Sequence, residues 1–271
     1  MDKLARSLFW LPLMTLVKRE IVRFLRQRSR VMGAIGTPLL FWILIGSGIG
    51  NSFQKPGMTA GYLEYFFPGT IAMVIFFTAI FSTMSLIEDR REGFMQSVLV
   101  APVSRFAIVG GKVIGGTILA SAQGILFLAI APWIGFSLTV SGTLLAASTI
   151  ILISFGLTSL GFLFAWKLNS VSGYHAIMNL VMFPMWLLSG AAFPLDKAPM
   201  WLKVLMTINP LTYGVSLLRE ALYSREKLAG VYFDGAIPSL STSLLITVVF
   251  ALLFYVLATM VVSLPARENA V

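Results

Sequence analysis

Long apolar runs separated by short polar segments dominate the chain, and six of these runs are long enough to cross a bilayer. A helix of about 20 apolar residues covers the hydrocarbon core, because each residue adds about 1.5 Å of length. The pattern therefore predicts an all-α membrane protein with six transmembrane helices. The predicted spans are about 31–49, 66–87, 106–130, 143–166, 171–192 and 240–264.

Residues 1–30 follow a different pattern, in which basic residues are interspersed with apolar residues at helical spacing. Apolar residues lie three or four positions apart, which places them on one face of a helix: Leu13, Leu16, Val17, Ile21, Phe24 and Leu25. A basic amphipathic helix is typical of the membrane interface. We expect residues 1–30 to form this interfacial helix on the cytoplasmic side and residues 31–271 to form one six-span domain. A solvated basic tail is the alternative, and the apolar spacing argues against it.

The segment between the second and third spans, EDRREGFMQSVLVAPVSR (88–105), has a higher density of charged residues than the other connections between predicted spans. It begins as an amphipathic helix and is interrupted at Ala101–Pro102, because a residue before proline disfavours the helical conformation. Ser104 is placed to cap the next helix. A short helix at this position is suited to contact a partner protein, and a plain solvated loop is the alternative.

Residues 193–239 also depart from the pattern of long apolar runs. Two short helices are predicted at about 199–207 and 211–223, on either side of Asn209–Pro210. Neither helix is long enough to span a bilayer, so we expect re-entrant or surface helices on the outer side.

The composition supports a membrane protein rather than a soluble one. Hydrophobic residues make up 58% of the chain and charged residues 11%, whereas a soluble domain carries about 25% charged residues. The net charge of +9 comes from basic residues that flank apolar runs, so we expect membrane lipid and not nucleic acid as the partner of these cations. Basic residues are most frequent on the segments that share a side with the N-terminus. The positive-inside rule therefore predicts that both termini are cytoplasmic.

Residue types that carry catalysis are sparse in the sequence. Residues 110–112 (Gly-Gly-Lys) do not fit a phosphate-binding loop, because Phe106 and Val113 stand where that motif needs glycine and a hydroxyl. The single histidine, His175, has no neighbouring carboxylates, which indicates packing rather than metal binding. The span centres hold no acidic residue, which disfavours a proton- or sodium-driven carrier. We therefore expect no catalytic site, metal or bound cofactor in this chain.

Two stretches resemble the ABC transporter type 2 permease family. The first, within 88–105, reads Glu-x-x-x-Glu-Gly and then Leu-x-x-Pro-x-Ser-Arg; the second, within 187–222, contains Phe-Pro, Trp-Leu and Asn-Pro-Leu-Thr-Tyr. The resemblance covers nearly the whole chain. The family includes exporters of drugs, polysaccharides, teichoic acids and nodulation factors. No fused ATPase is visible in the sequence, so the resemblance implies the form with a separate ATP-binding subunit.

The resemblance implies a homodimer of this chain with two copies of an ABC ATP-binding subunit, which would hold ATP and Mg. Residues 88–105 would be the coupling helix that docks on that subunit, with charged residues pairing with the partner, a glycine allowing close backbone approach and apolar residues forming a plug. The implied coupling residues are Glu88, Asp89, Arg90, Arg91, Glu92, Gly93, Phe94, Leu99, Pro102, Val103, Ser104 and Arg105.

The resemblance also assigns roles to three other sets of residues. In the N-terminal connecting helix, basic residues are placed to pair with Glu88 or Asp89: Lys18, Arg19, Arg23 and Arg26. An outer gate would include Phe193, Pro194, Trp201, Asn209, Pro210 and Tyr213, for which simple packing is an equally good explanation. The fifth span would line the substrate path through Asn179, Met182, Phe183, Met185 and Trp186.

The expected function is ATP-driven export of an amphipathic drug or lipid-like substrate across a prokaryotic cytoplasmic (inner) membrane. Export of a polysaccharide or lipid-linked glycan is the alternative within the family. An ATP-independent carrier or channel is the alternative from another class, and dependence on a partner ATPase distinguishes it.

Overall fold

The computed structural model describes residues 2–49, 61–192, 198–223 and 238–263, and regular secondary structure in these ranges is entirely helical. In chain order the α-helices are α1 Asp2–Arg26, α2 Arg28–Ile49, α3 Gly61–Arg91, α4 Phe94–Val100, α5 Arg105–Leu128, α6 Val140–Lys167, α7 Val171–Trp186, α8 Met200–Ile208, α9 Pro210–Leu222 and α10 Leu240–Ser263. A 3₁₀ turn, Ala131–Ile134, follows α5, and a π-helical turn, Leu187–Ala191, follows α7.

Six of the described helices are long and apolar enough to cross a membrane: α2, α3, α5, α6, α7 with its π-helical extension, and α10. The predicted all-α class with six spans is confirmed. The second span is longer than predicted, because α3 begins at Gly61 and continues to Arg91. Glu64, which was expected in a loop, is therefore a buried residue of α3, and residues 88–91 belong to this span rather than to the following short helix.

Helix α3 forms the centre of the bundle. Its most apolar stretch is 89% buried, compared with 17% for α2 and 22% for α7. Helices α2, α5 and α6 pack around α3, while α2 and α7 keep apolar side chains such as Leu44 and Leu180 exposed. These two helices therefore present apolar faces to lipid or to another protein chain.

Helix α1 lies directly against α5, because glycine residues of α5 leave room for it. A β-carbon added to Gly111 would lie 2.6 Å from Cβ of Leu16, and one added to Gly115 would lie 2.8 Å from Cβ of Glu20. These contacts are too short for any larger residue, so the glycines set the close approach of the two helices. The same approach brings the polar side chains of α1 to the last turns of α3 and the first turns of α5.

The two short helices predicted before the last span are present as α8 and α9, and they meet at Asn209–Pro210 as expected. The Asn209 side chain caps α9, because its Oδ1 accepts a hydrogen bond from the backbone nitrogen of Leu211 at 3.1 Å. Helix α9 is largely buried against α6 and α10, whereas α8 keeps Met200 and Trp201 exposed.

Candidate functional site

The short helix α4 is set off from the spans on both sides by local backbone signals. Gly93 precedes it in a left-handed conformation with φ of 77°, which glycine adopts without strain. Ala101 ends it in an extended conformation, because Pro102 follows. The predicted break at Ala101–Pro102 is therefore confirmed. Ser104 stands at the start of α5 but makes no side-chain cap; its carbonyl accepts the first bonds of that helix instead, which corrects the predicted role of its hydroxyl.

A cluster of charged side chains joins α1, α2, α3 and α5 next to α4. We call this set the inner charge cluster. It contains equal numbers of basic and acidic residues: Arg19, Arg23, Arg30 and Lys112, and Glu20, Glu88, Asp89 and Glu92.

Asp89 is the centre of the inner charge cluster and is fully buried. Both of its carboxylate oxygens bind Arg19, with Nη1 and Nη2 at 2.9 and 2.6 Å. Arg23 and Lys112 also donate to this carboxylate. A buried carboxylate is stable only when several donors compensate for its lost hydration. The three cations therefore hold the end of α3 against α1 and α5.

Lys112 and Glu20 form the deepest pair of the cluster. The Lys112 ammonium donates to Glu20 at 2.5 Å and to the Ser85 hydroxyl at 3.1 Å, and the Ser85 hydroxyl donates to Glu20. The sequence analysis considered Lys112 in the excluded phosphate-binding motif and among the basic residues that orient the chain, and it missed this pair. A lysine two turns inside an otherwise apolar helix was the available signal, because such a residue needs a partner within the protein.

Arg23 and Arg30 bind the two more exposed carboxylates of the cluster, those of Glu88 and Glu92. One nitrogen of Arg23 donates to Glu88 at 2.9 Å and to Glu92 at 3.0 Å, and Arg30 donates to the other oxygen of Glu88.

The pKa of the Arg19 guanidinium is raised. Burial lowers this pKa, but the hydrogen bond and the charge of Asp89 raise it by more. Arg19 also lies 3.6 Å above the centre of the Phe94 ring, which connects α1 to α4.

The predicted pairing of the N-terminal helix with Glu88 and Asp89 is confirmed for Arg19 and Arg23. Lys18 and Arg26 are exposed instead. Arg26 lines a surface cavity of about 420 Å³ together with Arg19, Arg23 and Glu92.

The charged residues of 88–105 mostly bind this chain itself, which corrects their expected pairing with a partner protein. Glu88 and Asp89 bind arginines of α1 and α2, while Arg90 and Arg105 bind backbone carbonyls of other spans. Arg91 and Glu92 are exposed. The positive φ of Gly93 by itself favours glycine, and no atom of this chain lies within 4 Å of an added β-carbon. The expected close approach of a partner's backbone at this residue stays a prediction.

The exposed part of α4 is apolar at its tip. Val100 is 88% exposed and Leu99 is 43% exposed, whereas Phe94 and Val103 pack partly against the core. Pro102 is exposed beside them. Between α1 and α4 lies an apolar groove of about 350 Å³, which we call the α1–α4 groove. Its lining residues are Leu11, Pro12, Thr15, Leu16, Phe94, Ser97, Val98, Ala101 and Val103.

The residues assigned to the outer gate fall in different environments. Phe193 and Pro194 lie outside the described residues. Trp201 is exposed on α8, and Pro210 is the first residue of α9. The Tyr213 hydroxyl donates to the carbonyl of Thr207 at 2.9 Å.

A buried polar group beside these helices was missed by the sequence reasoning. Arg219 and Tyr65 both donate to the carbonyl of Gly190, at 2.6 and 2.9 Å, and the guanidinium lies 4.4 Å above the Tyr65 ring. Gly190 has a positive φ of 76° within the π-helical turn. The arginine therefore holds a distorted turn of the fifth span against α3 and α9.

The residues expected to line a path in the fifth span are divided between the surface and the core. Asn179 is exposed, and Phe183 and Met185 are half-buried. Met182 and Trp186 are buried, and the Trp186 indole donates to the carbonyl of Gly69 at 2.8 Å. Met182 and Trp186 are therefore buried within the protomer rather than on an open surface, and Trp186 packs against α3.

His175 has the packing role that the sequence indicates. Its ring lies edge-on to those of Phe81 and Tyr174, with centroids 5.9 and 6.2 Å apart. Among the described residues, no group of three or more potential metal ligands occurs.

The six spans, the N-terminal helix held by ion pairs and the short helix α4 together define a multi-pass membrane protein. Residues 12–223 match the family described as ABC-2 type transporter. This match covers most of the chain, so the chain belongs to the ABC-2 type transporter family and is a membrane permease subunit of an ABC transporter. The family implies an ABC ATP-binding partner.

Individual relatives agree with this assignment. A putative transport permease, ycf38 of Cyanophora paradoxa, is 29% identical over 252 residues, which is 90% of this chain and 87% of that protein. The inner membrane transport permease YadH of Escherichia coli K12 is 26% identical over 215 residues, or 78% and 83% of the two chains. The probable multidrug ABC transporter permease YbhR of the same strain is 25% identical over 181 residues, covering 66% of this chain and 49% of that one.

Proposed function

We propose that this chain is the permease subunit of an ATP-driven exporter and that α4 is the helix through which a separate ATP-binding subunit drives it. The observation that carries this proposal is the contrast between the two parts of residues 88–105. The charged part is held inside the protomer by the inner charge cluster, while the apolar tip at Leu99 and Val100 is exposed. An exposed apolar tip on a firmly anchored helix is suited to insert into a cleft of a partner.

In this proposal two copies of the chain form a homodimer, and each copy binds one ATP-binding subunit. ATP and Mg are held by that subunit, and this chain binds no cofactor. We place the dimer seam on α2 and α7, because the most apolar stretches of these two spans are the least buried within the protomer, at 17% and 22%. The location is a prokaryotic cytoplasmic membrane, with both termini in the cytoplasm.

The proposed cargo is an amphipathic drug or a lipid-like molecule. The exposed face of α7 carries the amide of Asn179 among apolar residues such as Leu180, and a mixed surface of this kind suits a cargo with a polar and an apolar part. The printed name of the relative YbhR, a probable multidrug permease, agrees with this cargo class. Export of a polysaccharide or lipid-linked glycan is the alternative cargo within the same architecture.

The proposal is tested by co-expressing the tagged chain with a candidate ABC ATP-binding subunit from the same genome. The expected result is a stable complex that hydrolyses ATP and, in proteoliposomes, moves a fluorescent amphipathic cation only when ATP is present. Transport of a lipid-linked oligosaccharide instead of the cation would support the glycan alternative. Solute movement by the chain alone without ATP would contradict the proposal and indicate a carrier or channel.

A further inference from the structure

Two arginines on either side of α4 bind the cytoplasmic ends of two other spans. Arg90, near the end of α3, donates to the carbonyl of Trp166 at 2.6 Å and also to the carbonyls of Ala165 and Leu168. Arg105, the first residue of α5, donates to the carbonyl of Val262 in the last turn of α10. Residues 92–104, which contain α4, therefore lie between two arginines that each contact the end of a different span.

Both contacts have a clear electrostatic basis. The last four carbonyls of a helix have no partner within the helix, and the C-terminal end of a helix carries a partial negative charge. A guanidinium is planar and presents several donors at once, so Arg90 binds three carbonyls with one side chain. The Arg90 guanidinium also lies 5.7 Å from the centre of the Trp166 ring, which adds a second contact with the end of α6.

The contact of Arg90 continues into α7 through a short turn. Only residues 168–170 separate α6 from α7, and the Ser170 hydroxyl accepts a hydrogen bond from the backbone nitrogen of Gly173 at 3.0 Å. Through this cap the turn is hydrogen-bonded to the first turn of α7. A displacement of the α6 end therefore reaches α7, in which only 22% of the most apolar stretch is buried within the protomer.

From this geometry we infer that Arg90 and Arg105 are positioning residues that transmit movement of α4 to two different spans. Arg90 carries the movement to the α6 end and α7, and Arg105 carries it to the end of α10. The inference rests on the proposed function, in which the ATP-binding subunit moves α4. It replaces the expected role of these arginines as binding partners of the ATPase with a role inside the permease.

The test uses single cysteines, because the chain contains none of its own. Three exposed serines receive an environment-sensitive fluorophore one at a time: Ser97 on α4, Ser172 at the start of α7 and Ser263 at the end of α10. Each labelled chain is assembled with the ATP-binding subunit, and the fluorescence change on adding a non-hydrolysable ATP analogue is measured. The label at Ser97 reports whether the nucleotide signal reaches α4 at all.

The variants Arg90→Gln and Arg105→Gln serve as controls for each other. We expect Arg90→Gln to remove most of the signal at Ser172, because glutamine lacks the planar set of donors with which Arg90 binds three carbonyls, and to leave the signals at Ser97 and Ser263 in place. Arg105→Gln should reduce the signal at Ser263 and leave that at Ser172. Lys167→Gln removes an exposed charge from the same end of α6 and should change none of the three.

The outcomes separate this inference from the proposed function. If the wild-type label at Ser97 does not respond to nucleotide, the proposed coupling role of α4 is wrong, and the inference fails with it. If Ser97 responds and Arg90→Gln leaves the Ser172 signal unchanged, the coupling role stands and the transmission by Arg90 is wrong. Loss of all three signals in Arg90→Gln would assign the arginine to docking or folding, which also contradicts the inference. Partial recovery of the Ser172 signal in Arg90→Lys, which keeps the charge but not the planar set of donors, would support it.

Discussion

The ammonium nitrogen of Lys112 lies 2.5 Å from a carboxylate oxygen of Glu20, and both side chains are almost completely buried. The pair joins α5 to α1 at the point where Gly115 lets the two helices touch. Asp89 of α3 binds the same ammonium. Three helices therefore meet at one buried cation, directly above the segment that carries α4, and the position of α1 depends on keeping the charges of this cluster in balance.

Replacing Lys112 with methionine should destabilise the chain strongly. The substitution keeps the length of the side chain but leaves Glu20 and Asp89 without their shared cation, and breaking a buried ion pair on one side costs about 3–5 kcal/mol. We expect a clear loss of thermal stability in detergent for Lys112→Met. The double variant Glu20→Gln with Lys112→Met should recover part of the loss, because it restores the charge balance.

Lys167→Met is the matched control for this prediction, because Lys167 is exposed and makes no ion pair among the contacts of the described residues. Its stability should stay within about 0.5 kcal/mol of wild type. Equal melting temperatures for Lys112→Met and Lys167→Met would show that the buried pair contributes nothing.

Substitutions at Gly93 distinguish a conformational role from a role in contacting a partner. Its φ of 77° is unfavourable for residues with a side chain, by about 1–2 kcal/mol, whereas asparagine tolerates this region better than alanine does. The space around it is open. We therefore expect Gly93→Asn to retain more thermal stability and more ATP-driven transport than Gly93→Ala. A larger loss for asparagine, the bulkier residue, would indicate instead that the partner's backbone approaches this glycine closely.

The helices and their interruptions could be predicted from the sequence, because the signals that define them are local. The length of each apolar run predicts a span. Pro102 follows the end of α4, and Pro210 is the first residue of α9. The contacts between helices could not be predicted in the same way. Helical spacing shows that a residue lies on a face but not whether another helix covers that face. Met182 and Trp186 were therefore assigned to a path although both are buried within the protomer.

For charged residues, too, the binding partner could be predicted from the sequence only in part. The motif around Glu88 and Asp89 was recognised, and its pairing with Arg19 and Arg23 was expected from the position of these arginines in the N-terminal helix. Binding of Arg90 to helix-end carbonyls was not expected. Every residue has a backbone carbonyl, so the residue types do not show which carbonyl accepts a hydrogen bond. A recognised motif therefore identifies which charged residues matter but does not show which groups they bind.

Introducing a charge at the tip of α4 should weaken docking of the ATP-binding subunit without unfolding the permease. Val100 is 88% exposed, so Val100→Asp costs little in the free chain. In the complex it removes the burial of an apolar side chain, worth about 1.5–3 kcal/mol, which corresponds to roughly 10- to 100-fold in Kd. Binding of the purified subunit to the permease in nanodiscs, followed by microscale thermophoresis, measures this change.

The matched control is Val140→Asp, because Val140 is 81% exposed at the opposite end of the bundle. It makes the same chemical change at the start of α6 and should leave the Kd unchanged. Equal affinity for Val100→Asp and wild type would remove the tip of α4 from the docking surface.

The orientation of the chain in the membrane is tested by two cysteines introduced one at a time. Ser97 lies on α4 and Ser137 lies in the turn before α6, and both are exposed. Helix α5 crosses the bilayer between them, so the two positions must face opposite sides. If the α4 side is cytoplasmic, as the excess of basic residues on that side predicts, a membrane-impermeant maleimide added to intact cells labels Ser137→Cys and not Ser97→Cys. Inside-out vesicles should give the reverse pattern. Labelling of Ser97→Cys from outside would place α4 where no cytoplasmic ATPase can reach it, and the proposed coupling would then be excluded together with the orientation.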